Sequence, residues 1–494
     1  MNRRGLATRA GVAAGGGALL TLAFPEPDLA PLAWVAIAPL LVVCGDLPPR
    51  RAAITGGIFG IAFFGTLLAW ITIVGYVAWI LLVLLQAAFT AVFAALYAAA
   101  ARGLPNTLAR VAAAASLWVA VDLLRANVPV GGFTWGQLAQ SQTSLWTVRP
   151  AALGGAWLVA WLLVAVNACF GEAWRGRSAR ITVGALLLLS AAALVPPNAA
   201  DGRPVDVALV QGNVPRSLSG VEKEVAITTS HARLTQDLDP EKVDVAIWPE
   251  SSLNLDLRRV PEVRLLLADA AQRLGRPIIA GGNLDLPDDR YRVMAFLVSP
   301  DGEVVDRYQK THLVPFGEYV PARDALGWIP MLDQVPRDAV PGSSPRVFRV
   351  AGGTVAPVIS FEGDFGSLVR KPIAAGGRLL VVATNTSTWG ESWASAQHVA
   401  FSRLRAVENG VWVAHAAISG ISAVIAPDGR VVSDLPMWTS GTLVERMAFA
   451  DGITLYARAG DWAAWGSVIT GAALLLFSAR RRSRVGKVPR HEPE

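Results

Sequence analysis

Two polar side chains in this 494-residue sequence, Glu250 and Ser360, stand at the ends of short apolar runs, where buried strands hand residues to a site, and a third candidate, Lys310, lies between them in sequence. Glu250 closes the run Val243-Asp244-Val245-Ala246-Ile247-Trp248 in the string Trp248-Pro249-Glu250-Ser251-Ser252. A carboxylate there is partly desolvated, which suits it to act as a base. The same string also reads as a loop carboxylate capping the next helix with Ser251 and Ser252. Lys310 lies in Tyr308-Gln309-Lys310-Thr311-His312-Leu313-Val314-Pro315-Phe316-Gly317-Glu318. A lysine flanked by aromatics can supply fixed positive charge to a developing oxyanion; it can equally be a solvated lysine at a strand edge. Glu318, further along the same Pro/Gly loop, is placed to hold that lysine. Ser360, in Pro357-Val358-Ile359-Ser360-Phe361-Glu362, offers a nucleophile at the end of another apolar run.

The elements that must position these residues lie between about 203 and 455, where the composition is that of a water-soluble domain. Val205 to Val210, Val243 to Trp248, Pro277 to Gly281 and Leu379 to Thr384 read as buried strands, short and rich in β-branched residues. Val260 to Arg273 and Ala394 to Glu408 read as helices. Ser299-Pro300-Asp301-Gly302 and Ala426-Pro427-Asp428-Gly429 each set an Asp-Gly turn between extended runs, a hairpin signal. Strands mixed with helices and hairpins predict a layered α/β domain.

The remainder is of another kind. Only 17% of residues are charged and 53% are hydrophobic, with a mean hydropathy of +0.42, which excludes a disordered chain and points to a membrane protein. Apolar stretches near 10–24, 30–44, 53–72, 77–101, 109–124, 151–171, 181–196 and 462–478 predict about eight spans. If Arg3, Arg4 and Arg9 are cytoplasmic, every second loop should be basic. Arg50 and Arg51, Arg102 and Arg110, then Arg175, Arg177 and Arg180 fall in such loops. The tail carries Arg480, Arg481, Arg482, Arg484 and Lys487, while the intervening loops PEPD and TIVGY have no Lys or Arg. Both termini are therefore expected in the cytoplasm and the polar domain outside it. The net charge of +6 is a topology signal and not a nucleic-acid patch. No clear small-residue site before Pro25 marks the first segment as a cleaved signal peptide. Cys44 and Cys169 sit in apolar runs without metal-ligand spacing and read as small buried residues. No cofactor and no metal are expected; His312 and His398 have no second ligand cluster at suitable spacing. Trp135, Trp146 and Trp389 read either as the lining of a lipid entrance or as interface anchors.

The order Trp248-Pro249-Glu250, then Lys310-x-His312-Leu313-Val314-Pro315-Phe316-Gly317-Glu318, then Ser360 followed by Phe361-Glu362 is similar to that of the nitrilase superfamily. Its membrane branch, apolipoprotein N-acyltransferase, also resembles this chain in Leu209-Val210-Gln211-Gly212-Asn213, Gly132-Phe133-Thr134-Trp135, Gln397-His398, Arg403 to Glu408 and Tyr456 to Trp462. The likeness covers nearly the whole chain. It implies a membrane α-helical bundle of about eight spans plus an extracytoplasmic α/β nitrilase-like domain, an αββα sandwich. Helices would occupy 1–200, the sandwich 203–455, a last span 460–479 and a basic cytoplasmic tail 480–494. The implied location is the bacterial inner membrane. The implied reaction moves an acyl chain from a phospholipid onto the enzyme, then onto the N-terminal amine of a diacylglyceryl-cysteine lipoprotein.

By position Glu250 is then the general base, Lys310 the oxyanion stabiliser and residue 360 the nucleophile, with Glu318 and Glu362 as supporting glutamates. This chain has serine where the family has cysteine, so no thiolate fraction is available. Asn385-Thr386-Ser387-Thr388-Trp389-Gly390 and His415-Ala416-Ala417-Ile418-Ser419-Gly420 also depart from the family strings, which points to natural divergence rather than one engineered change. The alternative is an impaired homologue that binds lipid or lipoprotein, or assists an active paralogue. A nitrilase-type amidase fits poorly, since a soluble substrate needs no spans.

Overall fold

The computed structural model describes residues 3–176 and 179–485. The chain divides into two compact units, one running to Pro196 and resuming at Asp461, the other Pro197–Gly460.

The first unit is helical: α1 (Arg3–Thr21), α2 (Ala38–Cys44), α3 (Pro49–Leu67), α4 (Tyr76–Ala101), α5 (Thr107–Arg125), α6 (Ala151–Trp174), α7 (Ala179–Ala193) and the last helix Trp462–Val485. Among the described residues, four of these helices are long and apolar enough to cross a bilayer: α4, α5, α6 and the last helix. At about 1.5 Å per residue, the 26 residues of α4 exceed the roughly 30 Å hydrocarbon thickness. The expected continuous span over 30–44 is broken. Ala30–Trp34 is a 3₁₀ turn and α2 has only seven residues. Pro31 and Pro39 lack the N–H groups that a continuous helix would use. Asn167 of α6 satisfies the groups freed at the break. Its Oδ1 accepts from the N–H of Ile37 and of Ala38, each at 2.9 Å, and its Nδ2 donates to the Ala33 carbonyl at 2.9 Å.

Small residues bring α3 against α4. A Cβ at Gly56 would lie 2.5 Å from the Thr90 carbonyl oxygen, and one at Gly60 would lie 2.7 Å from Ala87 Cα. Arg125 ends α5 buried. It donates from Nε to Asp122 at 2.8 Å and from Nη1 to Gln86 at 3.2 Å and to the Trp135 carbonyl at 2.7 Å. Trp135 is itself buried beside Phe133 and Trp70, so it is a core residue and neither an entrance lining nor an interface anchor.

The second unit is an αββα sandwich. One sheet has the order β12-β1-β2-β3-β4-β5, the other β11-β10-β9-β8-β7-β6. The first is built from β1 (Gly202–Gln211), β2 (Val245–Leu253), β3 (Ile278–Asp285), β4 (Tyr291–Val298), β5 (Val304–Gln309) and β12 (Gly441–Ala450). The second holds β6 (Phe348–Val350), β7 (Gly353–Ile359), β8 (Leu379–Thr384), β9 (Trp412–Ala417), β10 (Ser422–Ile425) and β11 (Val431–Leu435). Strands β1 to β3 run parallel, as do β7 to β9. Parallel strands covered on both faces read as continuous apolar runs, and β8 and β9 are buried at every position.

Val207, Leu209, Ile247, Val355, Ile359 and Val381 meet between the sheets. Helix α8 (Gly220–Gln236) contributes Ala232, and α9 (Pro261–Leu274) contributes Val263, Leu267 and Leu274, to the outer layer of the first sheet. Beyond a short α10 (Arg323–Leu326), α11 (Gly366–Ala374) lays down Val369 and Ile373 on the second sheet, and α12 (Ala394–Asn409) lays down Val399 and Ala406. Each of these valines, leucines and isoleucines contributes about 1.5–3 kcal/mol on burial. The two expected Asp-Gly turns join β4 to β5 and β10 to β11, with Gly302 and Gly429 both at φ +86°.

Candidate active site

Glu250 sits where β2 leaves its regular ladder. The pairing of β2 with β3 shifts between Trp248 and Leu253, and Ser251 takes φ +66°. The shift needs a close backbone approach: a Cβ on Gly281 of β3 would lie 2.6 Å from Glu250 Cα. Glu250 caps no helix, since the next one, α9, begins after Val260. The residue is turned inward instead, its side chain 10% exposed.

Lys310 directly follows β5 and is 1% exposed, which overturns the reading of a solvated edge lysine. Its Nζ donates to Glu250 Oε1 at 3.1 Å and to Glu318 Oε1 at 2.7 Å. Glu318 is held in turn by the Val314 N–H, at 2.7 Å to Oε2. Burial alone would depress the Lys310 amine, but the charges of Glu250 and Glu318 outweigh it and hold the amine above its ordinary range. Burial raises the Glu250 carboxyl above the usual carboxylate range, against the opposing pull of Lys310.

Ser360 directly follows β7 and opens a 3₁₀ turn, Ser360–Asp364. Its φ of +48° is left-handed, a conformation costing roughly 1–2 kcal/mol for a residue with a Cβ. Its Oγ accepts a hydrogen bond from Thr384 Oγ1 at 3.2 Å. The next residue, Asn385, donates its backbone N–H to Glu250 Oε2 at 3.0 Å. Ser360 and Glu250 are thus tied to consecutive residues at the end of β8. Neither Thr384 nor Asn385 was expected from the sequence. The available signal was that ligands gather at the carboxyl ends of parallel strands, and the run Leu379 to Thr384 ends there.

Glu362 is buried and clamps the Ser360–Asp364 turn to the Lys310 loop. Oε1 accepts from Tyr308 Oη, Thr311 N and Thr311 Oγ1, each at 2.7 Å, and from His312 N at 3.2 Å. Oε2 accepts from Ile359 N at 2.9 Å. The His312 ring stacks on Phe361 and meets Phe365 edge-on. Burial, with the Lys310 charge nearby, lowers it to about 4, so it is neutral. His415 bonds Ser402, Nδ1 to Oγ at 2.7 Å. Among the described residues, no group of three or more His, Cys, Asp or Glu could hold a metal ion. Cys44 and Cys169 are buried thiols of the helical unit.

A buried base, a fixed ammonium and a strained strand-end hydroxyl on an αββα sandwich suit attack on a carbonyl carbon. The second unit coincides with a match to the carbon-nitrogen hydrolase family model over residues 206–455. The model for the apolipoprotein N-acyltransferase N-terminal domain matches residues 16–169. An apolipoprotein N-acyltransferase of Geobacter metallireducens is 33% identical over 94% of this chain and 94% of its own length. One from Gloeobacter violaceus is 32% identical over 91% and 90% respectively. Among solved structures, a nitrilase-superfamily amidase from Nesterenkonia aligns with 54% of this chain and 96% of its own, at 20% identity and a TM-score of 0.41. The chain belongs to the apolipoprotein N-acyltransferase family.

Proposed function

We propose that the protein moves an acyl chain from a phospholipid to the N-terminal amine of a diacylglyceryl-cysteine lipoprotein, through an ester on Ser360. The observation that carries this reading is the buried Lys310, bonded to Glu250 and Glu318, beside a base and a hydroxyl tied to neighbouring residues.

Ser360 Oγ attacks the ester carbonyl carbon of the phospholipid while its proton passes to Glu250. The Lys310 ammonium stabilises the oxyanion. Collapse breaks the carbonyl–oxygen bond to glycerol, and Glu250 returns the proton to the departing alkoxide. The lipoprotein amine then attacks the Ser360 ester, Glu250 accepts the amine proton, and that proton returns to Ser360 Oγ as the amide forms. A hydroxyl has no reactive anion near neutrality, so proton removal must accompany attack. Burial strengthens Glu250 as a base for that step.

The protein is placed in a bacterial inner membrane with about eight spans, both termini cytoplasmic and the 203–455 domain outside, on the support of the alternating basic loops. The test is an acyl-enzyme trap. Full-length protein in detergent is incubated with labelled phospholipid and weighed intact, beside Ser360→Ala and Ser360→Cys. An adduct on the parent that vanishes in Ser360→Ala is the expected result. No adduct on the parent but one on Ser360→Cys would mean a preserved site without its nucleophile and would overturn the serine route.

A further inference from the structure

At the carboxyl ends of the parallel strands, where Glu250 and Ser360 stand, an arginine lies on a tryptophan and has no task in the steps above. The Arg216 guanidinium carbon sits 3.9 Å from the Trp438 ring centre, and Nη2 lies 3.6 Å from Glu391 Oε1. Arg216 belongs to the loop after β1, Trp438 to the loop between β11 and β12, and Glu391 to the loop after β8. The arginine therefore bridges loops of both sheets on the rim of the site.

The tryptophan is held from both sides through its backbone. Its N–H donates to the Ser419 carbonyl at 2.8 Å, and its carbonyl accepts from Asn213 Nδ2 at 2.9 Å. The Asn213 N–H donates in turn to the Ile418 carbonyl at 2.9 Å. The Ile418 N–H donates to the carbonyl of Thr384 at 3.2 Å, and the Thr384 hydroxyl meets Ser360. Trp438 and Asn213 are both left-handed, at φ +59° and +66°. That conformation strains a residue as bulky as tryptophan and persists only where the surroundings enforce it. The platform under Arg216 is thus fixed, and it is fastened to the same strand end as Ser360.

Stacking engages the face of a guanidinium and leaves its N–H edge for a ligand. Glu391 takes up little of that edge. At 3.6 Å it is too far for a hydrogen bond, and the two side chains are 64% and 73% exposed, so the pair is solvated and of small worth. A phosphodiester in its place accepts two parallel charge-assisted hydrogen bonds, which are stronger. In a phospholipid the phosphate lies only a few bonds from the ester carbonyl carbon. An anchor for it belongs on the rim of the site, which is where Arg216 stands.

We propose that Arg216, levelled on Trp438, is a specificity-determining residue that holds the phosphodiester of the acyl-donor lipid. The proposal deepens the acyl-transfer reading and rests on it for the chemistry, though not for the binding.

The experiment measures binding of uncleavable ether-linked lipids to the full chain in a nonionic detergent. One probe is an ether-linked phosphatidylethanolamine, whose zwitterionic head removes net-charge attraction. The other is the diglyceride with the same chains and no phosphate. The parent is expected to bind the phospholipid about tenfold more tightly than the diglyceride, and Arg216→Gln to bind the two alike. Arg216→Lys keeps the charge without the fork and should fall between them. Trp438→Leu should weaken the phospholipid alone, by about threefold.

A preference that survives in Arg216→Gln overturns the proposal, as does a parent that has none. Equal weakening of both probes also overturns it, since that marks a residue that merely holds the rim. Displacement of the phospholipid by an equal concentration of glycerol phosphate would make the ligand a free phosphate and overturn the lipid assignment. Labelled ester phospholipid, given to the same preparation, tests the acyl-transfer reading separately. The preference without an adduct on Ser360 sinks acyl transfer and leaves the phosphate site standing; an adduct without the preference does the reverse.

Discussion

Replacing Lys310 by methionine separates what the lysine does for the fold from what it does for the reaction. The side chains of Lys310, Glu250 and Glu318 are 1%, 10% and 14% exposed, so removing the cation strands two carboxylates out of water. Stranding one partner of a buried ion pair costs about 3–5 kcal/mol. In a domain of this size that lowers the melting temperature by roughly 6–20 °C. Adding Glu318→Gln removes one of the two orphaned charges, while the amide oxygen can still accept from Val314 N. About half of the lost stability should return, roughly 3–10 °C. The rate should not follow. Loss of an oxyanion donor costs about 10²–10³ in rate, and a glutamine at 318 supplies no positive charge to the reacting carbonyl. Fluorescence-monitored melting and single-turnover acylation by labelled phospholipid would be run on the parent, Lys310→Met and Lys310→Met/Glu318→Gln. A melting point for Lys310→Met within about 2 °C of the parent would refute the buried triad. A double variant acylating within about tenfold of the parent would refute the oxyanion role while leaving the structural one intact.

Other consequences are more local. Glu250 must be ionised to accept the serine proton, and burial raises its carboxyl above the ordinary range. The acid limb of the acylation rate should therefore lie above pH 4.5, with activity lost as pH falls through it; a limb at or below pH 4 in single-turnover profiles would contradict this. Lys310 is held above the ordinary amine range, so it stays charged and adds no alkaline limb below that range. Glu362→Gln keeps the shape but sets an amide NH₂ against a donor, the Ile359 N–H, if Oε1 keeps its four partners. Thermal or chemical unfolding should show a loss of about 2–4 kcal/mol, and a loss under about 1 kcal/mol would refute the clamp. In the helical unit, Arg125→Leu strands Asp122 and frees the Trp135 carbonyl, at about 3–5 kcal/mol, whereas Asp122→Leu/Arg125→Leu should be milder; equal melting points for the two variants would argue against a buried pair.

The parts of the site that could be read from the chain are those whose position follows from local pattern. Glu250 and Ser360 close β-branched runs, and a strand end in a layered α/β domain is where side chains meet a ligand. The αββα arrangement came with the resemblance, and the alternation of strands with helices already required a layered fold. Burial of Lys310 was not legible, because Tyr308 to Glu318 is a loop-like string and the shielding comes from Glu250, distant in sequence. Thr384 and Asn385 were hidden for the same reason: only the pairing of β7 with β8 sets Thr384 beside Ser360. The break within 30–44 was not legible because hydropathy averages over Pro31 and Pro39. What makes a broken helix tolerable there is one side chain, Asn167, whose value lies in its hydrogen bonds rather than its polarity.

The departures around residues 385–390 look at first like damage to the site, yet the geometry shows why they need not be. Glu250 takes its second hydrogen bond from the backbone N–H of Asn385, a group that every residue except proline carries. The side chains of Thr386, Ser387 and Thr388 can therefore change without releasing the base. Asn385 itself turns its side chain to the Ser387 N–H and hydroxyl, shaping the loop rather than the carboxylate. Glu362 likewise binds three backbone N–H groups, of Thr311, His312 and Ile359, so the clamp between lysine loop and nucleophile turn depends little on neighbouring residue types. A site fastened through its backbone can hold the positions of Glu250 and Lys310 while its rim drifts. What such fastening cannot do is supply a thiolate. On the acyl-transfer reading the burden of the serine falls on the basicity of Glu250 and on the Lys310 charge, and those are the groups whose removal should cost this protein most.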